Sequence, residues 1–196
     1  EYNSAKIMKV LEWACDVPGK DIDPYELYDY LKSHIRDNMT TRDIQKSAIK
    51  VAAANITIDT PDYQYPASNL AMLMLRKDVY GQFEPPAFID QISRVVNAGL
   101  YDKEILTSYS AEEITYLESH IKHSRDFEYT YAGTMQMIEK YLVRDRSTDK
   151  IYETPQFAFM LIGMCLHQNE PENRLRNVIR FYNAVSTRKI SLPTPI

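Results

Sequence analysis

Apolar residues recur at intervals of three and four along nearly the whole chain, the signature of amphipathic helices. Ile7, Val10, Leu11 and Ala14 mark a first helix, with Asn3 or Ser4 at its mouth. Asp23-Pro24 opens a second, pairing an N-cap acid with proline at the first helical position. Its apolar face is Leu27, Tyr28, Leu31 and Ile35. Thr40 or Thr41 opens a third, with Ile44, Ala48, Val51 and Ala52 on one face. A fourth runs from Pro61 to Gly81, and a fifth begins at Pro85-Pro86 and stops at Gly99. Ser110 with Glu113 forms a capping box for a sixth, and a seventh covers Tyr131 to Leu142. Polar, turn-rich Asp145-Arg146-Ser147-Thr148-Asp149 separates two short apolar runs and predicts a hairpin. Thr154-Pro155 caps an eighth helix, and Glu170-Pro171 starts a ninth.

The pattern therefore predicts an all-α protein with one short β-hairpin, divided near Gly81 to Pro86. The tail departs from it. Lys189-Ile190-Ser191-Leu192 reads as a strand, and Tyr2 reads as the last residue of another. A lone strand leaves its backbone groups unpaired. The expectation is that the polypeptide continues, or that a second chain supplies a sheet.

Composition narrows the chemistry. The net charge of -4, from 23 basic and 27 acidic residues, argues against a nucleic-acid coat or a membrane-surface binder. A polyanion as small as a nucleotide stays open, because a few clustered cations suffice. With five glycines and neither phosphate-loop pattern, a nucleotide would have to bind side chains and helix ends. No signal peptide opens the chain, and the longest apolar run, Phe157 to Leu166, falls short of the roughly 20 residues needed to span a bilayer. Cys15 and Cys165 stand too far apart for a metal set and lie in apolar helical patterns, which predicts two small buried side chains. His120 and His123 share a helical face near Glu113 and Glu118, but a solvated face is the better reading than a metal site.

Arg76-Lys77, in the last turn of the fourth helix, allows two roles. The cations could cap the negative end of their own helix, or they could meet a phosphate. Asn3 and Lys6, at the start of the first helix, pose the same question, since free backbone N–H groups there attract anions.

Longer motifs tip the choice. Pro61-Asp62-Tyr63-Gln64-Tyr65, Tyr80-Gly81-Gln82-Phe83-Glu84-Pro85, Glu153-Thr154-Pro155-Gln156, Ala184-Val185-Ser186-Thr187 and Ser191-Leu192-Pro193-Thr194-Pro195-Ile196 stand in one order. In that order and over the whole chain, they resemble the large (alpha) subunit of class Ia ribonucleoside-diphosphate reductases of enteric-type bacteria and their phages. The resemblance implies three parts: an ATP-cone at 1–81 lacking most of its N-terminal hairpin, a helical N-terminal domain at 82–188, and the first strand of an α/β barrel at 189–196. It implies an oxidoreductase that reduces ribonucleoside diphosphates by a thiyl-radical mechanism, with its catalytic cysteines beyond Ile196 and none in this segment. It assigns Asn3, Lys6, Ile7, Thr41 and Lys77 to an allosteric ATP or dATP, and Thr194 to the substrate diphosphate. Gln45 and Met74 depart from it, standing where relatives carry histidines near the nucleotide. The implied partners are the rest of the large subunit, a second copy of it, a small subunit whose metal cofactor supplies the radical, and a thioredoxin- or glutaredoxin-type reductant. Nucleic acid, membrane and a metal in this segment are not implied, and the implied compartment is the cytoplasm. Two rival readings are a free-standing ATP-cone regulator, which lacks the cysteines for the zinc ribbon of such repressors, and a plain helical interaction domain.

Overall fold

A computed structural model describes residues 3–170 and 172–192. Among them it contains ten α-helices and one two-stranded sheet. The fold is mainly helical, as the periodicity predicts. Two compact units divide it, one holding residues up to Met74 with Phe127–Met135, the other Leu75–Asp126 with the chain from Gln136 onward. The division falls inside the fourth helix, ahead of the Gly81 cap, because that helix runs unbroken through it.

In the first unit, α1 (Ser4–Cys15), α2 (Pro24–Lys32) and α3 (Thr41–Ala54) begin where the caps predict. Asn3, Asp23 and Thr40 each accept a backbone N–H from the first turn. A 3-10 turn, Pro61–Tyr63, leads into α4 (Gln64–Tyr80). Leu11, Leu27, Leu31, Ala52, Ala67 and Leu70 fill the core with almost no exposure. The chain returns to this unit over Phe127–Met135, which holds all but the last residue of α8 (Tyr131–Gln136). There the buried hydroxyls of Ser68 and Thr134 pair at 2.6 Å, and Phe127 packs edge-on against Trp13. The Asn69 amide, also buried, donates to the Ala14 carbonyl at 2.9 Å.

The second unit carries α5 (Phe88–Asn97), α6 (Glu104–Ser108), α7 (Ala111–Glu118), α9 (Pro155–His167) and α10 (Arg174–Ser186). Helix α6 is a single short turn that the pattern left as loop. The Ser110–Glu113 capping box forms at the start of α7. The predicted seventh helix is α-helical only to Gln136 and then widens into a π-turn at Met137–Tyr141. Strands β1 (Arg144–Asp145) and β2 (Lys150–Ile151) pair antiparallel across the polar turn, in the register Arg144↔Ile151. The core is aromatic at its centre, with the rings of Phe88 and Phe157 stacked at 5.2 Å. Gly163 lets α9 and α10 approach closely, since a Cβ there would meet Phe181 Cδ1 at 3.0 Å.

Four expectations change. Helix α10 starts at Arg174 rather than at Glu170-Pro171, behind an Asn173 in the left-handed region (φ 57°). Residues 189–192 are not a strand. Cys165, unlike the buried Cys15, is exposed on α9. Thr154 is the N-cap of α9 by position, yet its hydroxyl lies 3.0 Å from the Tyr80 phenol and caps nothing. Tyr2 and Thr194 lie outside the described residues.

Candidate functional site

Arginines supply much of the polar framework of the second unit. Arg76 is 2% exposed, and its guanidinium lies 2.9 Å from Asp126 Oδ2 and donates to the His123 carbonyl at 2.8 Å. Asp126 is fully buried, and its other oxygen accepts the Gln156 N–H at 3.2 Å, so it caps α9 in place of Thr154. Burial pushes the Asp126 carboxyl up to about 6, with the guanidinium pulling the other way. Arg94 donates to the carbonyls of Val79 and Tyr152 and to Gln91 Oε1. Arg174 ties the Ser108 carbonyl at 2.7 Å to Glu113 at 2.6 Å, with its guanidinium 4.4 Å from the Tyr109 ring centre. Arg94 and Arg174 meet the carbonyl ends of α4 and α6, where the backbone has acceptors to spare. Arg76 is therefore a structural cation, and a phosphate-facing role for it is overturned. His123 is held in the same cluster, edge-on to Phe157 at 4.8 Å, and burial lowers its imidazole to about 4.

The residues assigned to a nucleotide behave differently, since all but Ile7 are exposed. Asn3 Oδ1 accepts the Lys6 N–H at 3.0 Å and sets the first turn of α1. That bond consumes one free N–H of the helix mouth and leaves the Lys6 ammonium in solvent. Ile7 is half-buried against the core of the first unit, so its side chain serves packing. Thr40, not Thr41, caps α3: its Oγ1 accepts the Asp43 N–H at 3.1 Å and donates to Asp43 Oδ2 at 2.6 Å. Those bonds hold the Asp43 carboxyl below its ordinary range. Thr41 stands exposed at the first helical position. Lys77 is exposed in the last turn of α4, on the second unit, next to buried Arg76. Gln45 buries its Nε2 with no acceptor among the described residues, and Met74 lies half-buried against the core. Neither side chain can take up a proton at these positions. The structure thus joins Asn3 to Lys6 directly and sets Thr41 at the mouth of a separate helix.

What the sequence did not signal was the pairing of distant groups. Nothing local announces that Asp126 caps α9, or that Glu118 Oε1 caps α5 by accepting the Phe88 N–H at 2.9 Å. The one available hint was at α5, where Ala87 has no side-chain acceptor to offer; Thr154 pointed the other way, to a cap it does not form. Among the described residues no cluster of three or more His, Cys, Asp or Glu side chains could hold a metal, and no helix is long and apolar enough to cross a membrane.

Comparison with known proteins finds matches at both ends of the chain. Residues 1–78 match the profile of the ATP cone domain, and residues 127–196 match that of the ribonucleotide reductase all-alpha domain. Over its whole length the chain is similar to ribonucleoside-diphosphate reductase alpha subunits. It is 63% identical over 195 residues to the ribonucleoside-diphosphate reductase subunit alpha of Enterobacteria phage T4, covering 100% of this chain and 26% of the phage protein. It is 47% identical over 198 residues to the ribonucleoside-diphosphate reductase 1 subunit alpha of Escherichia coli strain K12, again spanning 26% of that protein. A Synechocystis subunit alpha is 32% identical over 202 residues, 99% of this chain and 24% of that protein. The chain thus spans about a quarter of the length of the reductase relatives it matches.

Proposed function

We propose that this chain is the nucleotide-sensing N-terminal part of a class Ia ribonucleoside-diphosphate reductase. Residues 1–81 act as the ATP-cone, residues 82–188 as a helical scaffold, and residues 189–196 lead into the catalytic barrel. The single observation that carries this reading is the order of the two domain matches along one helical chain. The whole enzyme reduces ribonucleoside diphosphates with a thiyl radical. The radical comes from a small subunit's metal cofactor, and electrons come from a thioredoxin- or glutaredoxin-type protein. Its large subunit works as a homodimer in the cytoplasm.

In this segment the effector, ATP or dATP, sits at helix mouths. The dipole and free N–H groups of α1 favour phosphate, and Lys6 supplies a point charge; the assignment of Lys77, which stands on the second unit, rests on the resemblance alone. Asn3 holds the α1 mouth open in shape, Thr41 offers a hydroxyl, and Ile7 backs the site from the core. Thr194 contacts the substrate diphosphate. Gln45 and Met74 replace ionisable side chains with an amide and a thioether, so effector contacts there are hydrogen-bonding and dispersive rather than charged.

Calorimetric titration with ATP and with dATP tests the reading. Saturable heat is expected, and Lys6→Ala and Lys77→Ala should each weaken it about tenfold or more, the loss of a charge-assisted hydrogen bond. A plain helical interaction domain would give no heat with either nucleotide.

A further inference from the structure

Residues 152–154 gather the polar wiring of the second unit. The Tyr152 carbonyl accepts from Arg94 at 2.5 Å and from the Gln91 amide at 2.8 Å. The Thr154 hydroxyl meets Tyr80. Between them Glu153 is 1% exposed. Its Oε1 accepts the Val143 N–H at 2.8 Å and its Oε2 accepts the Tyr101 hydroxyl at 3.0 Å. Among the described residues these are its hydrogen-bond partners, and neither carries charge.

The ionisable groups that face it are Tyr80 from α4, Tyr101 from the loop after α5, and Cys165 from α9. All three are neutral at neutral pH. The cations on neighbouring elements are engaged elsewhere. Arg94 holds the carbonyls of Val79 and Tyr152, Arg144 holds the Ile138 carbonyl and Asp149, and Lys150 lies 4.8 Å over the Tyr152 ring. Asp126 provides the contrast: it is as deeply buried, but it faces a guanidinium at 2.9 Å.

A buried carboxylate without a counter-charge is unfavourable, whereas a buried carboxylic acid with two hydrogen bonds is not. We propose that Glu153 is a proton-operated latch, which as the neutral acid holds the base of the 143–152 hairpin to the Tyr101 loop and on ionisation lets that hairpin open. The proton leaves to solvent, and no covalent bond changes. Desolvation raises the group to about 7, against an ordinary value near 4.3. Because the folded value is the higher one, the folded chain takes up the proton. The stabilisation is complete below the ordinary value and is lost as pH rises through about 7. The Tyr152 N–H to Val143 carbonyl bond of 3.1 Å, just outside the strand pair, is the backbone contact that opening would break.

Amide hydrogen exchange across pH, corrected for the intrinsic base-catalysed rate, tests the latch. Protection of Val143 and Tyr152 should fall by up to about tenfold per pH unit as pH rises from about 4.3 to about 7, and level off above that. In Glu153→Gln, which imitates the neutral acid, protection should stay flat. Equal losses in the wild-type and variant chains would overturn the proposal. Infrared spectroscopy gives a second readout that needs no Glu153 variant. A carbonyl stretch of an un-ionised acid should be present at about pH 6 and lost through neutral pH, and its absence at pH 6 would equally defeat the idea. Tyr101→Phe removes a donor to the charged form, so the infrared midpoint should move up. A midpoint that stays or falls counts against it.

Discussion

Asp126 grips Arg76 with one carboxylate oxygen, at 2.9 Å, and the N-terminus of α9 with the other, at 3.2 Å. One buried acid thus ends one helix's free cation and begins another helix. Removing either partner leaves an uncompensated charge in the core. Asp126→Ala and Arg76→Met should each cost roughly 3–5 kcal/mol, read as a fall in the urea midpoint. Asp126→Asn keeps an acceptor for the Gln156 N–H and should be less damaging than Asp126→Ala. The double variant Asp126→Ala/Arg76→Met should cost clearly less than the sum of its parts.

Close approach of α9 and α10 depends on a missing side chain. Gly163→Ala would bring a Cβ to 3.0 Å from the Phe181 ring and 3.4 Å from the Val178 carbonyl. The ring must shift, and the expected cost is about 1–3 kcal/mol. Thermal unfolding followed by circular dichroism would show it, with a fold otherwise unchanged.

The Asn3 cap is a separate, smaller term. Asn3→Ala should destabilise the first unit by about 1 kcal/mol, as loss of an N-cap oxygen usually does. Trp13 is the sole tryptophan and packs against Phe127 within this unit, so its fluorescence reports the transition directly.

His123 makes a pH prediction of the opposite sign to Glu153. Its imidazole is lowered to about 4 by burial, with Arg76 adding to the effect, so the folded chain refuses a proton that the unfolded chain accepts near 6.5. The stability it contributes is full above about 6.5 and is lost as pH falls toward 4. Nuclear magnetic resonance of the ring should show a neutral imidazole at about pH 5.5. His123→Asn should flatten the acid limb of the stability profile by up to a few kcal/mol. A ring that titrates near 6.5 would defeat this.

The legible parts of the chain were those written in neighbouring residues. Asn3, Asp23-Pro24, Thr40 and the Ser110–Glu113 box set helix starts within one residue, because a cap and its N–H lie on the same turn. Gly81 (φ +74°) and Gly99 (φ +68°) marked helix ends because few other residues take that backbone shape without strain. The start of α10 was missed because its N-cap Asn173 enters left-handed and binds nothing with its side chain, so the Glu-Pro pair upstream gave the stronger local signal. The fate of Arg76 was not readable either. Whether a helix-ending cation faces solvent or an acid 50 residues away is decided by packing, and Lys77, its neighbour, has the opposite fate.

The wide turn at Met137–Tyr141 carries a consequence for how this segment tolerates length changes. A π-turn accommodates one more residue than the α-helix it interrupts, and each residue rotates the helix by about 100°. Excising a single codon there would let ordinary winding resume, yet it would swing Tyr141 off the Leu192 carbonyl that it meets at 3.2 Å. Backbone regularity and the grip on the outgoing polypeptide are therefore alternatives at this spot, and the sequence as it stands favours the grip.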